Sequence, residues 1–563
     1  MLQEVTSGKS ATKKQPLYER HAGFHVLRLS GDDYEIGYQH GSALKSAMAT
    51  GPVPYFERYV ERMLAAGAGP KLGELLSKAL ALTVGRRIQS GFPPHTRRAL
   101  DGLADGAGLD RKQLLAAVTM PESYLWVLQQ VLRLRRPRLA PHHGVPLMGC
   151  TSAVAWGDAT RDGSFLHGRN FDYQGVGAWD TEQAIVFHRP TGAQPYVSVS
   201  AAGILFGGIT AMNASGITLV VHQHMASTAL QLGGTPIGVT GDQVMRHAKS
   251  LDDARRILDS DRQNGCWTYV IGSAKEGAVL CYETTPARSA AHVVSAGTFG
   301  YSNFYLDREL ARTERELYPS HWRNNLARYR RANARLEAER GRIDADTIAG
   351  ILGDPGDESC RIEEAISQLM TVASVVFEPS AGMFYVATGR APTSNNEFVA
   401  FSLDGEAPAP ERAPLTGGQI ASPERAEAFH AYRDAYDAYF SHQDVGAARK
   451  LMARAVALQP EQPLYHYIAA LLALSAQDAA AAEASLDAAL ALGHSVPERE
   501  ASLRLWRARA RDLRGRRADA NGDYRAALSG DPAVRRAAER GLKKRYTSRR
   551  FGIEFALADV PVP

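Results

Sequence analysis

Apolar residues recur at three- and four-residue intervals through the first quarter of the chain. Residues 32–48 open on acidic side chains and space Ile36, Tyr38, Leu44 and Met48 at roughly helical intervals. Residues 72–82, 94–107 and 111–131 carry similar patterns, so residues 24–132 are expected to be mostly helical. Residues 133–149 are rich in Pro, Gly and Arg without periodicity, and predict an exposed loop. At Cys150 the texture changes. Short apolar runs separated by turn residues follow: 150–157, a turn at 161–163, 164–173 and 183–190, then a hairpin about Asn213–Gly216. Helical patterning returns over 240–258, strands over 267–283 and 292–299, helices over 306–340 and 344–352, and strands over 372–377, 382–388 and 397–403. Runs of strands with helices clustered between them predict an α+β sandwich of antiparallel sheets covered by helices.

Residues 404–418 are Pro/Gly-rich and read as a linker. Beyond them the chain is rich in Ala and Arg and helical in pattern to about residue 544. The segment starting at Asp444 recurs at Asp478, a shift of 34 residues, and Ala455 and Leu458 then fall on Ala489 and Leu492. A looser third copy ends at Pro532 as the first ends at Pro460. A 34-residue helical repeat resembles the tetratricopeptide repeat, whose stacked helix pairs make a concave surface for a protein partner. A plain Ala-rich helical bundle is the alternative. The resulting division is a disordered N-terminus over 1–20, a mostly helical segment over 21–149, a catalytic region over 150–403, a linker over 404–424, helical repeats over 425–545 and a tail over 546–563.

Composition narrows the class. The chain has 563 residues, 45% of them hydrophobic, which is ample for a sizeable core. A net charge of +5 over this length does not mark a nucleic-acid binder. Four cysteines, Cys150, Cys266, Cys281 and Cys360, are too few for a disulfide framework. The N-terminus shows no apolar run of the signal-peptide kind, and no stretch of 18 apolar residues predicts a membrane span. The expectation is a cytoplasmic protein.

Candidate chemistry concentrates at Cys150. A thiolate is a strong nucleophile, and a cysteine that begins a strand after a loop is held by a rigid element yet reachable. If the Gly149–Cys150 bond were cut, Cys150 would become a chain terminus carrying its own base. An α-amino group, with an unperturbed pKa of about 7.7–8.0, is well placed to take a thiol proton. Glycine at 149 leaves its carbonyl open to attack. The next strand ends in Arg169-Asn170-Phe171-Asp172. In an antiparallel hairpin this segment lies beside Cys150, where Asp172 could hold the α-amino group and Arg169 the thiolate.

These residues, with others along the chain, resemble the N-terminal-nucleophile hydrolases of linear amides, specifically the peptidase C45 or acyl-CoA:6-aminopenicillanate acyltransferase-like family. The resemblance runs over roughly residues 24–403. Upstream, residues 33–42 (DYEIGYQHGS) are similar to that family's propeptide signature. Downstream, Met212-Asn213-Ala214-Ser215-Gly216 resembles its Asn-x-x-Gly hairpin. Tyr301-Ser302-Asn303-Phe304 resembles its Thr-Asn-His segment, and Ser320-His321-Trp322-Arg323 its Ser-x-x-Arg. The resemblance implies an αββα sandwich made as a precursor that cleaves itself between Gly149 and Cys150. It implies a Cys150 acyl-enzyme formed from a small-molecule amide or an acyl thioester such as a CoA ester. Asn303, by its side chain, and Asn213, through its backbone, are implied as oxyanion donors, with Arg323 and Ser320 as substrate contacts. Water as acceptor gives a hydrolase, an amine an acyltransferase, and no cofactor or metal is implied.

Competing readings stand beside these. A sandwich without activity, acting as an interaction module through its helical repeats, is the alternative function. His222 and His224 would share one strand face, a metal-compatible spacing without a recognisable third ligand. Arg133, Arg135, Arg136 and Arg138 could attract an anionic substrate, or simply solvate a loop.

Overall fold

The structure, a computed structural model, describes residues 17–68, 70–133, 149–173, 175–224, 227–315, 319–356, 364–493, 500–530 and 532–547. Its strands form two sheets. In the first the order is β1 (Tyr18–His21), β2 (Phe24–Gly31), β5 (Gln183–Pro190), β6 (Tyr196–Ala201), β7 (Thr210–Asn213), β8 (Ile217–Gln223), β9 (Trp267–Ser273), β10 (Ala278–Thr285) and β11 (Arg288–Val294). In the second it is β12 (Thr298–Tyr301), β3 (Gly149–Gly157), β4 (Gly163–Asp172), β13 (Thr371–Glu378), β14 (Met383–Ala387), β15 (Phe398–Ser402) and β16 (Ala407–Pro408). Among the described strands, only β2 and β5 pair in parallel. The sheets face each other across one apolar layer, in which Val154, Trp156 and Phe165 of the second meet Phe187, Val197, Val220 and Val270 of the first. Burying both inner faces together is what makes each sheet stable.

Helices close the outer faces. α1 (Asp33–Met48), α2 (Pro52–Ala68), α3 (Pro70–Leu80), α4 (Arg86–Gln89), α5 (Pro94–Ala107) and α6 (Arg111–Arg133) fill the first segment. α1 starts at a capping box between Asp32 and Glu35. It crosses α5 backbone to backbone: a Cβ on Gly37 would lie 2.0 Å from the Ala99 carbonyl oxygen, and one on Gly102 2.1 Å from that of Tyr34. The pair seals Leu27, Leu29 and Val186 on the first sheet. α7 (Ile237–His247) and α8 (Leu251–Ser260) cover β8–β10 of the same sheet. After the short α9 (Arg308–Ala311), α10 (Pro319–Ala338) and α11 (Ala345–Leu352) set Leu336, Ile348 and Leu352 on Leu166 and Val376 of the second sheet. The layers therefore run helix, sheet, sheet, helix.

Seven further helices follow among the described residues: α12 (Pro423–Phe440), α13 (Val445–Leu458), α14 (Pro463–Ser475), α15 (Ala479–Leu492), α16 (Glu500–Leu513), α17 (Arg517–Ala526) and α18 (Pro532–Lys543). The 34-residue periodicity has a local cause here. Asp444 and Asp478 each cap a helix by accepting from the backbone N–H three residues on, and Gln443 and Gln477 just before them turn the chain with φ of 56° and 61°.

Several expectations need correction. Residues 18–31, expected to be disordered and then helical, form β1 and β2; six consecutive positions of β2 are buried, so both its faces are covered and no alternation marks it as a strand. The helical patterning over 240–258 falls on two helices, because Ser250 caps a new start, and the helix expected over 306–340 is broken between α9 and α10. The Pro/Gly-rich stretch expected as a linker is laid on the second sheet. Ala407 and Pro408 pair with β15, Leu415 bridges Phe398, and Asp346 accepts from the N–H groups of Thr416 and Gly417. Residues 134–148, expected as an exposed loop, and Cys360 lie outside the described residues.

The C-terminal helices are joined to the sandwich. Tyr432 and Tyr436 of α12 share a buried cluster with Tyr55, Phe56, Tyr173 and Trp179. Tyr59 and Phe440 meet at 5.6 Å between ring centres, and Arg390 bridges Asp180 and Asp437.

Candidate active site

The β3–β4 hairpin sets Gly149 opposite Asp172, Cys150 opposite Phe171 and Ser152 opposite Arg169. Side chains alternate along a strand. Cys150 therefore shares a face with Val154 and Trp156, turned between the sheets, and Arg169 shares that face with Phe165. Asp172 lies on the other face with Leu166, toward α10. Arg169 and Asp172 thus act on Cys150 from opposite sides of one sheet.

On the inner side, Arg169 Nη2 donates to Cys150 Sγ at 3.3 Å and to the Val221 carbonyl at 3.1 Å. Its guanidinium stands over the Phe171 ring, 4.7 Å from the centre. Its Nε and Nη1 are buried and have no hydrogen-bond partner among the described residues. Burial pushes the Cys150 thiol up, Arg169 draws it down, and the Asp172 carboxylate adds to the upward push. A resting thiol at neutral pH and a guanidinium ready for a thiolate are what these opposing effects produce.

On the outer side, Asp172 Oδ1 accepts from Thr371 Oγ1 at 2.6 Å, while Oδ2 has no partner among the described residues and faces Gly149. Burial raises this carboxyl, and Arg328, Thr371 and Arg169 oppose the rise. Arg328 comes from α10 and is 1% exposed. Its Nη1 donates to the Cys150 carbonyl at 2.6 Å and to Thr151 Oγ1 at 3.0 Å. Its Nη2 donates to Asn325 Oδ1 at 2.6 Å and Asn303 Oδ1 at 3.2 Å, and its Nε to Asn324 Oδ1 at 2.9 Å.

Asn303, just past β12, meets the nitrogen of Cys150. The Cys150 N–H donates to Asn303 Oδ1 at 2.7 Å, and Asn303 Nδ2 donates to the Gln223 carbonyl at 3.0 Å. Two donors converge on Oδ1, which fixes which end of the amide is oxygen. The side chain expected to donate to an oxyanion instead accepts from the nitrogen of the candidate nucleophile. Asn213, implied through its backbone, does not line the cavity beside Cys150. Its Nδ2 donates to the carbonyls of Met245 and Ala248, and its Oδ1 accepts from the N–H groups of Ser215 and Ile217, so it ties the β7–β8 turn to the end of α7. Arg323 is exposed on α10 and does not line the cavity beside Cys150. Of Ser320 only the backbone, in α10, is described.

Cys150 and Arg169 open onto a cavity of about 200 Å³. Its wall is almost wholly apolar, with Phe56 and Leu125 from the first helices, Phe92 from the connection between α4 and α5, and Trp179, Ile204 and Trp267 from the sandwich. Glu122 of α6 also lines it. Burial raises the Glu122 carboxyl to about 7, and the nearby Asn264 amide draws it down in part. The two histidines of the metal-compatible spacing go separate ways. His222 Nε2 pairs with Ser152 Oγ at 2.8 Å, whereas His224 Nδ1 faces Glu314 at 3.0 Å and its ring stacks on Tyr305. Cys266 and Cys281 are buried, and burial raises both thiols.

Residues 159–392 match the family model described as acyl-coenzyme A:6-aminopenicillanic acid acyl-transferase, a span that holds Arg169, Asp172, Asn303 and Arg328 and begins after Cys150. An uncharacterized protein of Archaeoglobus fulgidus is 30% identical over 275 residues, which is 46% of this chain and 43% of that protein's length. The chain thus aligns with less than half of this relative. The solved N-acylethanolamine-hydrolyzing acid amidase ortholog of Caenorhabditis elegans aligns with 41% of this chain and 93% of its own, at 16% identity and a TM-score of 0.28. No helix among the described residues is long and apolar enough to cross a membrane.

Two residues of the site escaped sequence reading. Arg328 lies five positions beyond Arg323 in one arginine-rich helix, and only its neighbours Asn324 and Asn325, which help hold it, set it apart. Glu122 sits in a helical pattern where a polar residue reads as solvent-facing, and nothing local reveals that a cavity lies in front of it.

Proposed function

We propose that this chain is a thiol-dependent enzyme of acyl transfer that cuts its own Gly149–Cys150 bond and then acts on a linear amide or acyl thioester. The observation that carries the reading is Arg169 Nη2 at 3.3 Å from Cys150 Sγ, in the wall of an apolar cavity. In the precursor, Cys150 Sγ attacks the Gly149 carbonyl carbon, its proton passes to the departing nitrogen, and water releases the resulting thioester. The new α-amine stays hydrogen-bonded to Asn303 Oδ1, beside the unpartnered Asp172 Oδ2. It takes the thiol proton as Sγ attacks the substrate carbonyl. The free N–H groups of Arg169 meet the oxyanion, a task worth about 10²–10³ in rate per donor. The amine or thiol leaves with a proton, and water or a second amine accepts the acyl group.

The wall of the cavity suits an apolar acyl group, and its volume of about 200 Å³ a compact one. The C-terminal helices are proposed to form a tetratricopeptide-like surface for a protein partner. Intact-mass analysis of freshly purified protein tests the central claim. Two pieces of roughly 16 and 45 kDa are expected from the 61.1 kDa chain, the larger beginning Cys-Thr-Ser, and Cys150→Ala should stay whole. A folded wild-type chain that remains intact on long incubation overturns the reading.

A further inference from the structure

The large cavity beside Cys150 meets a second, smaller one, and Glu122, Leu125, Gln223 and Trp267 line both. The smaller space is the more polar, with His224, Ser227 and Asn264 in its wall. At the junction the fold has placed two hydrogen-bond acceptors, and among the described residues neither has a charged partner. Gln223 Oε1 is buried without a hydrogen bond among the described residues. The Glu122 carboxyl forms no ion pair among the described residues, and the neutral Asn264 amide is the group that draws it down. Its neighbours one turn away on α6, Val118 and Leu125, are apolar cavity wall, as the helical spacing requires of one face. A carboxyl set in so apolar a wall is costly to ionise, and burial raises it to about 7. Leucine or glutamine at this position would serve the fold better. At the other polar spot, beside Cys150, the unpartnered groups are donors, Arg169 Nε and Nη1, which suit a carbonyl oxygen. Donors at the thiol and acceptors at the junction describe a ligand with a carbonyl at one point and an N–H or O–H at another.

We propose that Glu122, with Gln223, selects substrates that carry a hydrogen-bond-donating group, a hydroxyl or an ammonium, meeting the junction of the two cavities. The inference rests on the proposed acyl-transfer reading and deepens it by naming the substrate class. A site built to receive a donor rejects the analogue without one, because its own polar groups are then left buried and unpaired.

The test uses the full chain and pairs of simple amides. Each pair compares a methyl-terminated chain with its hydroxyl- or amine-terminated counterpart, four to eight carbons long, with the donor first on the acyl side and then on the amine side. Mass spectrometry of the released acid and amine gives kcat/KM. At least one donor-bearing member should be preferred by about tenfold, the effect of one hydrogen bond worth a little over 1 kcal/mol. That preference should fall below about twofold in Glu122→Leu. Glu122→Gln, of the same shape and more secure in folding, should keep part of a hydroxyl preference and lose an ammonium one. The two arms show which side of the substrate carries the donor. Binding of the same pairs to Cys150→Ala, followed by the fluorescence of Trp179 and Trp267 in the cavity wall, reads the preference without turnover. A failure of catalysis is thereby separated from a failure of this inference. Wild-type protein that treats every pair alike, or a preference that survives Glu122→Leu, overturns it.

Discussion

The Asp172 carboxylate stands so close to Gly149 that a methyl group there would lie 2.8 Å from Oδ2 and 3.3 Å from Arg328 Nη2. Neither neighbour can move away freely, since Asp172 is held by Thr371 and Arg328 by three asparagines and the Cys150 carbonyl. Gly149→Ala should therefore destabilise the fold by about 1–3 kcal/mol, the usual effect of overpacking, and slow self-cleavage. The double variant Gly149→Ala/Asp172→Ser should be more stable than the two single changes sum to, because the clash partner is gone. Thermal unfolding of all four proteins measures this, and strict additivity would show that the contact is harmless.

Asn303→Ala removes the acceptor for the Cys150 nitrogen and one of those for Arg328. A lost buried partner costs about 1–3 kcal/mol, so both stability and the rate of self-cleavage should fall. Thermal melts and a cleavage time course decide the matter. Normal stability and cleavage with depressed turnover would return Asn303 to the oxyanion role that the resemblance implied.

Glu122 gives a pH signature with a definite sign. Its carboxyl titrates at about 7 when folded and near 4.5 when not. Below the unfolded value it is protonated in both states and has no effect. As pH rises from there to about 7 the unfolded state ionises first, so folding stability declines, and above 7 the loss is complete at up to about 3 kcal/mol. Glu122→Gln should remove this slope. Chemical denaturation of wild type and variant from pH 4 to 8 should give curves that diverge with rising pH, the variant being the more stable above 7. Parallel curves would mean that the carboxyl is solvated.

Removing the C-terminal helices should damage the catalytic region. Read as a linker, residues 404–418 suggest that a chain ending near 415 folds and cleaves itself. The shared cluster of Tyr432 and Tyr436 with Phe56, Tyr173 and Trp179 argues otherwise, since the last three also line the cavity. The truncated chain should aggregate or cleave slowly, and Tyr436→Ala in the full chain should lower the melting temperature by several degrees, as a loss of about 2–4 kcal/mol implies. Solubility and cleavage of the truncated chain check this directly.

Much of the centre was legible along the chain because the signals are local. Turn residues at 161–163 define a hairpin, and a two-residue period within it places Cys150 and Arg169 on one face and Asp172 on the other. The helix starts at Asp444 and Asp478 were likewise legible, since a capping side chain acts within three residues. Sequence alone thus determined the strand that carries Cys150, its partner strand, and the period of the C-terminal helices. Tertiary structure decided the rest. It set Arg328 against the Cys150 carbonyl, turned Asn303 Oδ1 to the Cys150 nitrogen, closed α6 over a cavity that Glu122 lines, and set α12 in one cluster with Tyr173 and Trp179. Each outcome joins residues far apart in the chain through the angle at which a helix settles on a sheet. That angle is set by the fit of many side chains at once, which no local pattern encodes.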